Sequence, residues 1–348
     1  MMEHPQDPND IPKSERVERQ IPEIPPWKQA LLTGLSHSLD LKTLKLAPRT
    51  KVIDSWCYQG DLGFIFAPRG LGKTWLGMYI AKCLSLNRNI GPWAVSSSHK
   101  VLYMDGEMPA NDIQWRDRVL GEPTKNLTYI NHEILFERTG RVMNLADIEL
   151  QQAIIDLCKQ DQYTVLFLDN LSTLTSGVDE NKAIDWERIL PWLLRLRREH
   201  ITVIFIHHAG RSGQMRGSSK REDPSAWIIS LRDPRNDPEA QTDGAHFISI
   251  FTKNRNAPRN PKTLEWNFTP VGEDEILIRF EDSQPLDIFR ELVASGVNQC
   301  GEIAEEMDCT KGYVSRIAQK AETQGWLEIK NRKYYIKNDP SWSASNDP

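Results

Sequence analysis

Residues 67–74 read Ala-Pro-Arg-Gly-Leu-Gly-Lys-Thr, a spacing of glycines, lysine and hydroxyl residue that suits the handling of a polyphosphate. Gly70 and Gly72 leave the backbone bare, so several N–H groups can converge on phosphate oxygens. Lys73 supplies positive charge to the outer phosphates, and the Thr74 hydroxyl is a ligand for Mg2+. Pro68, Arg69, Leu71 and Trp75 complete the stretch expected to line a bound nucleotide. Ala67 stands where the usual phosphate loop has its first glycine, a place at the end of a strand where a methyl group is tolerated. Further along, residues 164–168 form an apolar run closed by Asp169, and a carboxylate at such a strand end is placed to hold the metal with Thr74.

These groups need elements to carry them. Strands are expected at 62–66, 101–104, 164–168, 202–207 and 247–252, and the first four lead through a loop into helical periodicity. Trp75, Met78, Tyr79, Lys82 and Cys83 recur at three- and four-residue steps. That alternation predicts an α/β domain with a mostly parallel sheet, over 27–281. Apolar runs at 263–268 and 276–279 read as a hairpin closing it. Residues 1–26, rich in proline and charge, read as a flexible tail, and 338–348 as a frayed one.

After the strand at 101–104 comes Asp105-Gly106-Glu107-Met108-Pro109, with Arg116 nine residues beyond Glu107. Here the chain resembles the RecA-like ATPases of the plasmid RepA and DnaB-like hexameric helicase kind, in which a Glu-Met-Pro motif ends the strand after the phosphate-loop helix. The resemblance implies that Glu107 polarises the attacking water and that Arg116 lies near the nucleotide. Hydrolysis calls for a carboxylate close to the γ-phosphate yet separate from the metal ligand. The strand at 202–206 ends in His207-His208, and in the resembling family this place carries a sensor of the γ-phosphate. Either histidine fits, and His207 is assigned to the nucleotide site. The loop that follows, with Arg211, Arg216, Lys220 and Arg221 and no acid, matches the one that grips single-stranded DNA in the ring's channel. Residues 253–258, Lys-Asn-Arg-Asn-Ala-Pro, are similar to the Lys-x-Arg-Asn-x-Pro element whose basic pair reaches the ATP of the neighbouring subunit. Lys253 and Arg255 thus join Glu107 and Lys73 as the expected catalytic groups. The similarity spans 46–268.

Residues 285–337 read as a separate small module of three helices and a hairpin. Ile303, Ala304 and Met307 face Val314, Ile317, Ala318 and Ala321 across a tight turn, and the pattern resembles the winged-helix family. The module is acidic before Lys311 and basic after it apart from Glu322 and Glu328. Lys311, Arg316, Lys320, Lys330, Arg332 and Lys333 are the candidate DNA contacts, mainly to phosphate. A partner protein at the same surface is the other reading.

Composition constrains the rest. The chain has 348 residues, 39% hydrophobic and 26% charged, with a formal charge of −5, so any nucleic-acid surface must be local. It carries no apolar run of membrane-spanning length and no signal-peptide pattern, and a cytoplasmic location is expected. The five scattered cysteines form no CxxC pair and are expected to be small buried hydrophobes. The phosphate-loop residues call for ATP and Mg2+, and the resemblance implies a homo-oligomer, a hexameric ring. It would act as a helicase or translocase on single-stranded DNA in the replication of a plasmid or mobile element. An ATP-switched assembly protein that never unwinds DNA is the alternative.

Overall fold

The computed structural model describes residues 25–175, 183–208, 223–233, 244–257, 260–282, 285–307, 309–323 and 325–337. The tail expected at 1–26 lies almost wholly outside them, as do the tail at 338–348 and the basic residues Arg211, Arg216, Lys220 and Arg221. The chain divides into two units, Met1–Pro48 and Arg49–Pro348, so the first unit extends past the boundary expected at residue 27. It holds two short helices, α1 (Pro26–Gly34) and α2 (Ser38–Thr43). Pro26 opens α1, where its missing N–H costs nothing.

The second unit is built on a long sheet. A hairpin of β1 (Lys51–Ile53) and β2 (Cys57–Tyr58) leads into β3 (Leu62–Ala67), α3 (Lys73–Leu86), β4 (Val101–Asp105) and α4 (Ala110–Val119). Then follow β5 (Leu127–Asn131), α5 (His132–Thr139), α6 (Ile148–Gln160), β6 (Val165–Asp169), α7 (Leu171–Leu174), α8 (Ala183–Arg198) and β7 (Thr202–His208). Three antiparallel additions come next to a further parallel strand: β8 (Trp227–Arg232), β9 (Ala245–Asn254), β10 (Leu264–Val271) and β11 (Glu275–Asp282). The order across the sheet is β11-β10-β9-β8-β3-β7-β6-β4-β5. From β8 to β5 all neighbours are parallel; from β8 to β11 they are antiparallel. This is an α/β RecA-like core, as expected. The strands β1, β2, β5 and β8 went unread in the sequence.

Alternation along the strands assigns side chains to two cores. Ile65, Val165 and Phe167 join Leu76 and Ile80 of α3 on one face. Leu62, Phe64, Leu166 and Leu168 join Ile154 of α6, with Trp186 and Leu193 of α8, on the other. Sandwiched this way, the central strands are buried throughout, which is why they read as continuous apolar runs.

The chain ends in α9 (Pro285–Ala294), α10 (Cys300–Glu306), α11 (Lys311–Thr323), β12 (Leu327–Lys330) and β13 (Lys333–Ile336). Their core includes Phe289, Ile303, Val314 and Leu327, and also Ile248 of β9, so these elements share apolar packing with the sheet. The β12–β13 hairpin turns at Asn331 and Arg332, both at positive φ. Cys57, Cys83 and Cys158 are buried as expected, whereas Cys300, at the start of α10, and Cys309, in the α10–α11 turn, are only partly so.

Candidate functional site

The carboxyl ends of β3, β4, β6 and β7 lie side by side, and each contributes one functional group. Beyond β3 the chain turns through Gly70 and Gly72, both at positive φ, before α3 begins at Lys73. Gly72 admits no side chain: a Cβ there would lie 2.6 Å from the Cβ of Ala245. Pro68, Arg69 and Gly70 are exposed, so their backbone is open to a ligand. Lys73 is buried, and its Nζ donates to the Pro68 carbonyl at 2.7 Å. Burial lowers its pKa to about 8 against the opposing pull of Asp169 and Glu107. An ammonium group kept out of water with only a carbonyl partner is a receptor for an anion.

Asp169 ends β6 with its carboxylate buried. Burial raises its pKa, while hydrogen bonds from Tyr103 and Thr74 and the charge of Lys73 oppose the rise. The Tyr103 hydroxyl donates to Oδ2 at 2.6 Å. Thr74 and Asp169 are hard oxygen donors that meet each other, the chemistry Mg2+ takes alongside phosphate oxygens. Among the described residues no group of three or more His, Cys, Asp or Glu side chains is placed to hold a metal ion by itself.

On the adjacent β4, Asp105 stands in register with Asp169. Its Oδ1 accepts from the backbone N–H of Glu107 at 3.2 Å and of Met108 at 2.9 Å, which fixes the turn from which Glu107 projects. Burial, with Asp169 beside it, lifts the Asp105 pKa to about 7. Glu107 itself is about half exposed. Its Oε2 accepts from Asn170 Nδ2 and lies 3.6 Å from His208 Nε2. Of the two strand-end histidines it is His208 that meets Glu107. His207, the one assigned to the nucleotide, is fully buried and points to the other face of β7, because side chains along a strand alternate. Arg116 on α4 lies over the Trp75 ring, its guanidinium 4.5 Å from the centroid.

Lys253 and Arg255 are elsewhere. Lys253 pairs with Ile228 and Asn254 with Trp227, and Trp227 in turn pairs with Gly63 near the amino end of β3. Four residues of extended chain, about 13 Å, separate Gly63 from Ala67. The basic pair therefore sits toward the end of the sheet opposite the phosphate loop. Arg255 is exposed, and its backbone N–H donates to the Ala226 carbonyl at 2.8 Å. Lys311, Arg316, Lys320, Lys330, Arg332 and Lys333 are all exposed, with Lys330 Nζ 3.2 Å from Glu328.

Asn170, Tyr103 and Asp105 are members of this site that sequence reading missed. Only Asp105 and Asn170 carried any signal, as polar residues at the ends of apolar runs. A phosphate loop, a buried lysine, a strand-end aspartate and a sheet of this order define a RecA-like P-loop ATPase domain, one that takes ATP with Mg2+. The chain belongs to the AAA_25 family, described as an AAA domain, whose model matches residues 31–214, just over half of the chain. Among solved structures it is similar to a KaiC-like protein from the hyperthermophilic archaeon Pyrococcus horikoshii, with 12% identity and a TM-score of 0.44, over 67% of this chain and 100% of that one. No curated protein matches the sequence. No helix among the described residues is long and apolar enough to cross a membrane.

Proposed function

We propose that the chain is an ATP-driven ring motor on DNA, a helicase or translocase with a winged-helix module at residues 285–337 behind an ATPase core. The observation that carries this reading is the separation of Arg255 from Lys73 along the sheet. Basic groups held at opposite ends cannot serve one nucleotide in one chain, yet head-to-tail contact between copies would unite them, and such contacts form a ring where the rotation between copies closes. Lys73 would then neutralise the β- and γ-phosphates, with Thr74 and Asp169 holding Mg2+, which supplies further charge neutralisation. Glu107 would accept the proton of the attacking water. Arg255 of the neighbouring copy, with Lys253, would meet the charge that builds on the transferring phosphoryl group, a contribution worth on the order of 10³–10⁵ in rate. Residues 209–221, joined directly to His208, would carry the grip on single-stranded DNA. The six exposed basic residues of the C-terminal elements would hold duplex DNA by its phosphates, or a partner protein.

The test is strand displacement by the full chain, with Glu107→Gln as control and mass measurement with and without ATP. The expected result is an oligomer whose turnover rises with single-stranded DNA and falls at least tenfold in Arg255→Ala. A monomer with full turnover that ignores Arg255→Ala rejects the motor. Stimulation by duplex alone favours an ATP-switched assembly protein.

A further inference from the structure

Asn170 follows the metal-end aspartate and is almost fully buried. Its Oδ1 accepts from the Thr173 backbone N–H at 3.1 Å and so caps α7. That bond settles the orientation of the amide, since the oxygen is committed and Nδ2 must face the other way. There Nδ2 meets Glu107 Oε2 and, at 3.1 Å, His208 Nε2. A primary amide has two N–H bonds, one for each neighbour. His208 then accepts at Nε2 and carries its proton on Nδ1. Without the amide, the ring nitrogen and the carboxylate oxygen, 3.6 Å apart, could meet only with the ring's proton moved to Nε2, so the amide sets the tautomer as well as the carboxylate.

We propose that Asn170 is a positioning residue that sets the Glu107 carboxylate and couples it to His208, so that movement at the end of β7 is passed to the group that activates water. The inference rests on the reading of Glu107 given above. Its physical content is a bridge of two hydrogen bonds from one rigid amide. The amide is anchored at α7, so Glu107 can leave its present place only by giving up a charge-assisted bond. Because His208 is the last residue of β7, a displacement there pulls on the same amide that holds the carboxylate.

Two substitutions separate positioning from folding. Asn170→Ser keeps an oxygen to cap α7 and removes both amide N–H groups. Asn170→Asp also keeps the cap, and turns an acceptor against Glu107. In steady-state ATP turnover by the full chain, Asn170→Ser should lower kcat about tenfold and Asn170→Asp about a hundredfold. KM, nucleotide affinity and melting temperature should stay within twofold or a few degrees of the parent. His208→Ala combined with Asn170→Ser should fall no further than the worse single variant, because the pair acts as a unit. An Asn170→Ser enzyme with unchanged kcat, or effects that multiply in the double variant, would overturn the proposal. Glu107→Gln tells the two failures apart. Should it turn over ATP normally, the assignment of Glu107 is wrong and the coupling with it. Should it be inactive while Asn170→Ser is unimpaired, only the coupling is lost.

Discussion

The two ends of the parallel sheet treat buried charge in opposite ways. At the amino end, Asp61 is buried and its carboxylate accepts from three residues. Oδ2 accepts from the Tyr58 N–H and from Asn256 Nδ2, each at 2.7 Å, and Oδ1 is paired with Arg49. Arg49 also donates to Asn256 Oδ1 at 2.9 Å and lies over the Tyr58 ring. At the carboxyl end, Lys73 has only the Pro68 carbonyl, and Asp105 Oδ2 is buried without a hydrogen-bond partner. Lys73 and Asp105 are accordingly displaced from their ordinary pKa values, to about 8 and about 7. Incomplete pairing is costly in the empty protein, and it reserves the site for a ligand that brings its own charge. The closed network at the amino end does something else. It fastens Asn256, and with it the strand end that bears Arg255, to the β1–β2 hairpin.

The widest separation between the two ends should appear when each loses its central group. Lys73→Ala should lower turnover on the order of 10³-fold, while the melting temperature of the nucleotide-free protein does not fall, because the ammonium has no buried carboxylate bonded to it. Asp61→Ala should behave in reverse. Loss of a buried acceptor that serves three donors is expected to cost about 2–4 kcal/mol in chemical unfolding. ATP binding by a single chain should survive it. Equal losses of stability in the two variants would break the comparison.

What could be read before folding follows the same division. Asp169 ends an apolar run, Glu107 lies two residues past the Asp105 that ends another, and Lys73 and Thr74 follow the glycine turn beyond a third, and a strand end followed by chemistry is a local pattern. The contacts that join them are not local. Asp105 meets Asp169, and His208 lies level with Ala67, only because the order β3-β7-β6-β4 brings those ends together. Nothing in a period of two or of 3.6 encodes which strands are neighbours. For that reason Tyr103 was invisible and the role of Asn170 could not be read, and the choice between His207 and His208 depended on which face of β7 meets the site. β8 escaped for another reason: Trp227–Arg232 mixes Ser230 and Arg232 into its apolar run.

The finest difference between the ends concerns pH, and His99 measures it. His99 precedes β4 at the amino end; its backbone N–H donates to the Leu84 carbonyl, and the ring Nδ1 lies 3.2 Å from Thr164 Oγ1. Burial holds its pKa below the ordinary 6.5, with no carboxylate to offset the loss of water. The sign follows from proton counting. Just below pH 6.5 the unfolded chain takes up a proton at this histidine and the folded one does not, so stability drops as the pH falls through that window. His99→Gln removes the proton and should flatten this part of the acid limb, leaving turnover at neutral pH unchanged. The quantity to compare is the slope of unfolding free energy against pH in the two proteins. Parallel slopes would mean that His99 protonates as easily folded as unfolded, and that the amino end is less closed to water than its hydrogen bonds imply.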